Sequence, residues 1–319
     1  MKFKDMEKVM SQMDIIDQNY MFNMFDTVEE VSKTCREGNG LTYHYCSLDV
    51  CKSIIEKQCI WASDMRFMND NKEFIYGIDI VKKGLSKLKK YVQYQDISKI
   101  LLDKINEIDL NNITQRFLAC FSLNGDLRNQ WKKYGSKGNG VSIGFAPMDV
   151  LIELKPRPFS FFVLYKKKEQ MNDCVKQLNR SFDFYNENNS DVIINSILHY
   201  ITYLIPKYKS KKFSSENEYR YIFPNYNPKA SYSPKIKHRV NNNFTLVKPY
   251  IELKTVGKFD KENNQELDPN SKNLVIKEII VGNKLDFKLT KIGLESLLIT
   301  NGYNLNDIVI RKSKRHFIN

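Results

Sequence analysis

The sequence predicts an α+β fold: one mixed, mainly antiparallel sheet decorated by helices, with a helical extension at the N-terminus. Three observations carry this. Short runs rich in β-branched and aromatic residues alternate with longer stretches whose apolar positions recur at helical spacing. The two kinds follow no regular strand–helix–strand rhythm, which argues against a doubly wound sheet. No internal repeat and no long low-complexity tract interrupts them.

Residues 1–38 read as a helical extension, with Met6, Met10, Met13, Ile16, Tyr20 and Phe22 among its apolar positions, and Gly38-Asn39-Gly40 as its stop. Residues 39–319 are expected to form a single α+β domain. It opens with a strand over Leu41 to Tyr45. Ser47 is a good N-cap for a helix over Leu48 to Lys57, helped by Asp49 in the first turn. A strand at Ile60 to Ser63 precedes two helices, over Lys72 to Tyr91 and Ile97 to Ile108. Strands at Phe117 to Phe121 and Val141 to Phe145 flank a short helix and a glycine turn (Gly138-Asn139-Gly140), read as a hairpin turn. A strand from Phe159 to Tyr165 and long helices over Lys167 to Asn186 and Asp191 to Tyr208 follow. Glu218 to Phe223 is a strand, and the Pro-, Asn- and Lys-rich stretch from Pro224 to Asn243 reads as a loop. Strands at Phe244 to Leu253 and Leu274 to Val281, a helix at Leu289 to Ile299 and a last strand near Ile308 to Ile310 complete the order.

The composition narrows the function classes. Apolar and charged contents of 42% and 27% are ordinary for a globular protein. No apolar run reaches the roughly 18 residues that a membrane helix needs. The first residues carry acids and no sustained apolar core, which argues against a secretory signal, so a cytoplasmic protein is expected. The cysteines at 35, 46, 51, 59, 120 and 174 form no CxxC pair and read as reduced thiols. Four histidines far apart in sequence make a metal site unexpected. The net charge of +13 is mostly lysine and is spread along the chain. It permits a nucleic-acid or acidic protein partner on a basic surface without defining one.

The densest motif runs from Cys120 to Phe145, CFSLNGDLRNQWKKYGSKGNGVSIGF. Trp131 and Tyr134 stand three residues apart, so a helix there would put both rings on one face, as core or as a pocket wall. Other islands are Tyr43-His44-Tyr45, then Phe67-Met68-Asn69-Asp70 with Glu73, then Phe213-Ser214-Ser215-Glu216-Asn217-Glu218-Tyr219-Arg220, then Glu278-Ile279-Ile280-Val281-Gly282. In this order and spacing, from about Leu41 to the C-terminus, the set resembles the bacterial family known as domain of unknown function 2971. The family also resembles the partners of abortive-infection pairs, which implies either a phage-defence effector or a non-catalytic regulator. Asn69 or Asp70 with Glu73 also fits a helix cap and its capping box.

Glu216 and Glu218 are the strongest chemical candidates. If a strand includes both, their carboxylates point to one side while Asn217 points away. Such a pair suits an N-glycosidic bond, where carboxylates stabilise positive charge on the ribose. The plainer alternative has Glu216 solvated and Glu218 paired with Arg220. By pattern, the order His44, Ser122, Glu218 resembles the ADP-ribosyltransferase layout, although the Ser-Thr-Ser run of that superfamily is missing. The resemblance implies NAD as substrate, with no metal. His44 would grip the dinucleotide, Ser122 would support the nicotinamide ribose and Glu218 would drive loss of nicotinamide, with Glu216 beside it. Tyr43, Trp131, Tyr134 and Arg220 complete the expected nucleotide-binding set. His44 can alternatively act as a general base. A nucleic-acid-binding module or a metal-dependent nuclease using Asp70, Glu73, Glu216 and Glu218 is the rival.

Overall fold

Ser47 does two things: it ends the strand β1 (Thr42–Ser47) and caps the helix α1 (Leu48–Lys57), its Oγ accepting from the Val50 amide at 3.3 Å. This is the cap the sequence predicts. Gln58 then leaves the helix in a left-handed conformation, and β2 (Cys59–Asp64) follows. The computed structural model describes residues 40–68, 71–108, 115–146, 159–187, 191–223, 235–240, 245–254, 259–260, 265–266 and 274–315. The expected N-terminal extension and the pair Asn69-Asp70 lie outside the described residues.

The chain separates into two compact units. The first takes residues 66–115 and 161–214 of the described chain and is helical. It contains α2 (Asn71–Leu88) and α3 (Gln95–Asn106). The sheet unit resumes with β3 (Phe117–Ser122), α4 (Arg128–Lys133), β4 (Gly140–Phe145) and the start of β5 (Phe159–Phe162). The helical unit then closes with α5 (Lys167–Glu187) and α6 (Asp191–Leu204). The last helix stops short of the expected Tyr208 because Pro206 has no amide to donate, and a 3-10 turn, Ile205–Lys207, replaces its final turn. Buried Val81, Leu85, Leu101, Leu178 and Ile201 form the apolar interior of this unit. A buried polar network lies with them. Gln170 accepts from the Tyr76 hydroxyl at 2.8 Å and donates to the Leu164 and Lys209 carbonyls at 2.6 and 2.8 Å. Lys209 pairs with Glu73 at 3.1 Å, and Lys207 with Asp173 at 2.7 Å.

The second unit adds β6 (Glu218–Phe223), β7 (Lys237–Val240), β8 (Val247–Lys254), the two-residue ladder of β9 (Phe259–Asp260) and β10 (Gln265–Glu266), β11 (Ile276–Val281), α7 (Phe287–Thr300) and β12 (Val309–Lys312). The main sheet is mixed and open, with the strand order β12-β11-β4-β1-β3-β2-β8-β7 and β6 also on β3. Only β11 and β12 run parallel among these neighbours, so the fold is the α+β arrangement that the sequence predicts.

β3 organises this sheet. β6 pairs with it along its whole length, from Phe117↔Phe223 to Ser122↔Glu218. A strand has two edges, so β1 and β2 share the other one. β1 meets it at Ser122, through Tyr43, and β2 meets it at Leu118 and Phe117. Two arms therefore diverge from one edge of β3. The strands β3 and β4 do not pair with each other, because β1 lies between them. The glycine turn before β4 accordingly closes no hairpin, contrary to the expectation. Its geometry serves a close approach instead: a Cβ on Gly140 would meet the Cys46 carbonyl. The expected loop before β8 also contains a short outer strand, β7, whose residues are exposed along its length.

Candidate functional site

The carboxylates of Glu216 and Glu218 fall in the sheet unit, but the strand rule does not place them. Glu216 ends a 3-10 turn, Lys211–Glu216, and Asn217 is left-handed at φ 47°, so β6 begins only at Glu218. Simple alternation across residues 216–218 fails for that reason. Neither carboxylate is solvated: Glu216, Glu218 and Arg220 are 2%, 6% and 1% exposed.

Each acid carries its own cation. Glu216 Oε1 accepts from Lys133 Nζ at 2.5 Å, and the lysine comes from the C-terminal turn of α4. Glu218 Oε2 accepts from Arg220 Nε at 2.7 Å and also pairs with the Arg220 terminal nitrogen. These two residues are two apart on β6 and so share a face. The plainer expectation for Glu218 is therefore the arrangement found, while Glu216 is paired and buried instead of solvated. Burying charges in this way costs desolvation energy that even close partners at best offset.

Ser122 stands between the two acids. It is the register partner of Glu218, and its Oγ donates to the Glu216 carbonyl at 2.9 Å. Gln130 Nε2 donates to the same carbonyl at 3.0 Å, and Leu123 N donates to the Asn217 carbonyl at 2.8 Å. Asn129 reaches Ser215 at 2.9 Å. The left-handed bend at Asn217 is thus pinned from the β3 end and from α4. Tyr43 is the register partner of Ser122 on β1, so Tyr43, Ser122 and Glu218 form one row across three strands.

The expected aromatic residues separate into two environments. Trp131 is fully buried, edge-on to Tyr45 with ring centroids 5.0 Å apart, and its Nε1 donates to Asp126 Oδ1 at 2.7 Å. Tyr45 and Tyr43 belong to the same core cluster with Ile280. The Tyr45 hydroxyl donates to the Asn124 carbonyl at 2.7 Å and accepts from the Leu127 amide at 2.8 Å, while burial pushes its ionisation up. The Tyr43 hydroxyl donates to Glu278 Oε2 at 2.6 Å, and Arg311 Nε donates to Glu278 Oε1 at 2.6 Å. Gly125 lies so close over the Tyr43 ring that a Cβ there would overlap it. Tyr134, by contrast, is 39% exposed, because α4 ends at Lys133 and Tyr134 leaves helical geometry at φ −121°. Trp131 and Tyr134 therefore do not share one helix face.

His44 follows Tyr43 on β1, and alternation turns it to the other face of the sheet from Ser122 and Glu218. Its ring lies 5.9 Å from that of Phe121. Burial lowers its pKa, a hydrogen bond with the Cys120 backbone opposes this, and Arg239 adds to the lowering.

Several residues of the cluster escaped the sequence reading. Gln130 and Lys133 are three apart on one short helix, a spacing that marks one polar face aimed at a shared target. Asp126 gave no such signal, although it binds Trp131, Ser313 and the Lys314 amide together. Among the described residues no group of three or more His, Cys, Asp and Glu stands close enough to hold a metal ion. Glu73, a ligand in the nuclease alternative, belongs to the helical unit and pairs with Lys209. No described helix is long and apolar enough to cross a membrane.

The open mixed sheet and the buried ion cluster define an α+β protein whose candidate site hangs on β3, β6 and α4. The family described as protein of unknown function (DUF2971) matches residues 130–221, which bears out the resemblance seen in the sequence over the segment from Gln130 through Glu216, Glu218 and Arg220. No curated protein and no solved structure matches the chain.

Proposed function

We propose that this protein breaks the nicotinamide–ribose bond of NAD, by transfer or hydrolysis, as a cytoplasmic effector in a toxin or phage-defence role. The observation that carries this reading is the direct pairing of Ser122 and Glu218 on adjacent strands with the Glu216 backbone fastened to Ser122. Cleavage of an N-glycosidic bond builds positive charge on the ribose, and a fixed carboxylate stabilises that charge without reorganising. Glu218 is the group assigned to this task, oriented by Arg220. Ser122 is assigned to a ribose hydroxyl. Lys133 is nearly half exposed and can face a phosphate while it neutralises Glu216. His44, on the opposite face of the sheet, has no part in this step. The buried thiols Cys46, Cys51, Cys59 and Cys174 fit a reducing compartment.

Nicotinamide release from NAD by the purified full chain tests the reading. Wild type is expected to release it, Glu218→Gln to release none, and Ser122→Ala to retain the fold with reduced turnover. A folded Glu218→Gln variant with full turnover would sink the assignment.

A further inference from the structure

The arm of the sheet formed by β2, β8 and β7 has a chemistry of its own. Over residues 235–254 the sequence places Lys235, Lys237, Arg239, Lys248 and Lys254 against one carboxylate, Glu252. The ladder puts Arg239 directly opposite Lys248 and Lys237 opposite Tyr250. Like charges opposite each other on antiparallel strands cost stability. Burial lowers the pKa of both Arg239 and Lys248, and for Lys248 the charge of Arg239 adds to the effect.

Arg239 is nonetheless held in place. Its guanidinium lies 5.4 Å from the centroid of the Trp61 ring, and its terminal nitrogen donates to Ser63 Oγ at 3.2 Å. Tyr250 backs Trp61, with ring centroids 4.3 Å apart and planes inclined by 33°. Lys237 Nζ meets Glu252 at 2.8 Å. Arg239 itself is exposed, as is all of β7. An aromatic support under an exposed guanidinium, next to a facing ammonium, is an arrangement that an oxyanion relieves. Arg presents a planar fork that matches phosphate geometry, and each phosphate neutralised by a cation releases a counterion condensed on the nucleic acid, which adds to the gain.

We infer that this face, centred on Trp61, Arg239 and Lys248, binds the phosphodiester backbone of a nucleic acid. The phosphates lie over the two cations, and Trp61 senses their arrival. The function is separate from the chemistry assigned to Glu218.

The chain holds two tryptophans, and Trp131 is fully buried, so a binding-linked change in tryptophan emission reports Trp61. Anisotropy of a short labelled oligo(U) strand and of a short labelled DNA duplex, each titrated with full-length protein over a range of NaCl, makes the test. Binding of either probe, with affinity falling as salt rises and with tryptophan emission changing along the same isotherm, is expected. The arm that binds tells single strand from duplex. Replacing Arg239 and Lys248 together by Ala should weaken binding about tenfold or more and flatten the single-strand log–log salt slope by about 1.4, roughly 0.7 per lost phosphate contact. Lys291→Ala, on the exposed side of α7, should bind as wild type does. Near-ultraviolet circular dichroism confirms that the variants are folded. The inference is overturned if neither probe binds, if the double variant binds as tightly as wild type, if Lys291→Ala weakens binding as much, or if binding leaves tryptophan emission unchanged.

Discussion

Two polar clusters of the sheet unit draw on the motif from Cys120 to Phe145, yet they hold the fold together differently. Around Trp131 the polar atoms serve an apolar core. Asp126 gathers the indole N–H, the Ser313 hydroxyl and the Lys314 amide, and the rings of Tyr45 and Trp131 fill the space beneath. Around Glu216 and Glu218 the order is reversed, and two ion pairs occupy space that apolar side chains could fill. An apolar core gains stability from each group it buries, whereas a buried ion pair roughly breaks even at best. The first cluster is therefore explained by folding alone. The second is retained at a cost, which is where function is to be sought.

The largest test of this contrast is Trp131→Ala. It empties a fully buried site and strips Asp126 of a donor, so unfolding in urea should show a loss of about 3–5 kcal/mol. Arg220→Ala should cost about 3 kcal/mol, because it leaves Glu218 buried without its cation. Here a second change sharpens the comparison. Replacing Glu218 and Arg220 together by Leu and Met should recover most of that loss, since no charge is then left unpaired. The same double variant should have no turnover. If it stays as unstable as Arg220→Ala, the ion pair is holding the fold and the contrast fails.

The smallest effect concerns His44. Its lowered pKa means that the folded protein resists protonation while the unfolded chain takes up a proton near pH 6.5. The unfolded state then binds more protons, and stability falls as pH drops below that value toward the folded pKa. Melting temperature against pH should show this decline, and His44→Phe should shallow it. An unchanged slope in the variant would assign the decline to other groups.

Much of the local structure was legible. Ser47 caps a helix where a small polar side chain precedes an apolar-periodic run, and its Oγ accepts from the amide three residues on. The strands around Phe121 and Ile280 announced themselves by β-branched and aromatic content. What the sequence could not display was pairing over distance. Lys133 reaches Glu216 across 83 residues and Arg311 reaches Glu278 across 33, with no local signal for either. The face shared by Glu216 and Glu218 was misjudged because Asn217 takes a left-handed turn, and nothing in Glu-Asn-Glu requires one. The hairpin expected between β3 and β4 failed for a related reason. Chain neighbours are not always sheet neighbours, and β1 had already taken the place between them.

The double occupancy of β3 also bears on how the chain is made. One edge takes β1 and β2, which the ribosome delivers first, and the other waits for β6, about a hundred residues later and beyond the second segment of the helical unit. Until residue 223 emerges, β3 exposes a row of unpaired amides and carbonyls, and β2 waits longer still for β8. Such distant pairing folds slowly, so the nascent protein spends much of its synthesis with an adhesive edge uncovered. That uncovered edge is open to mispairing during translation.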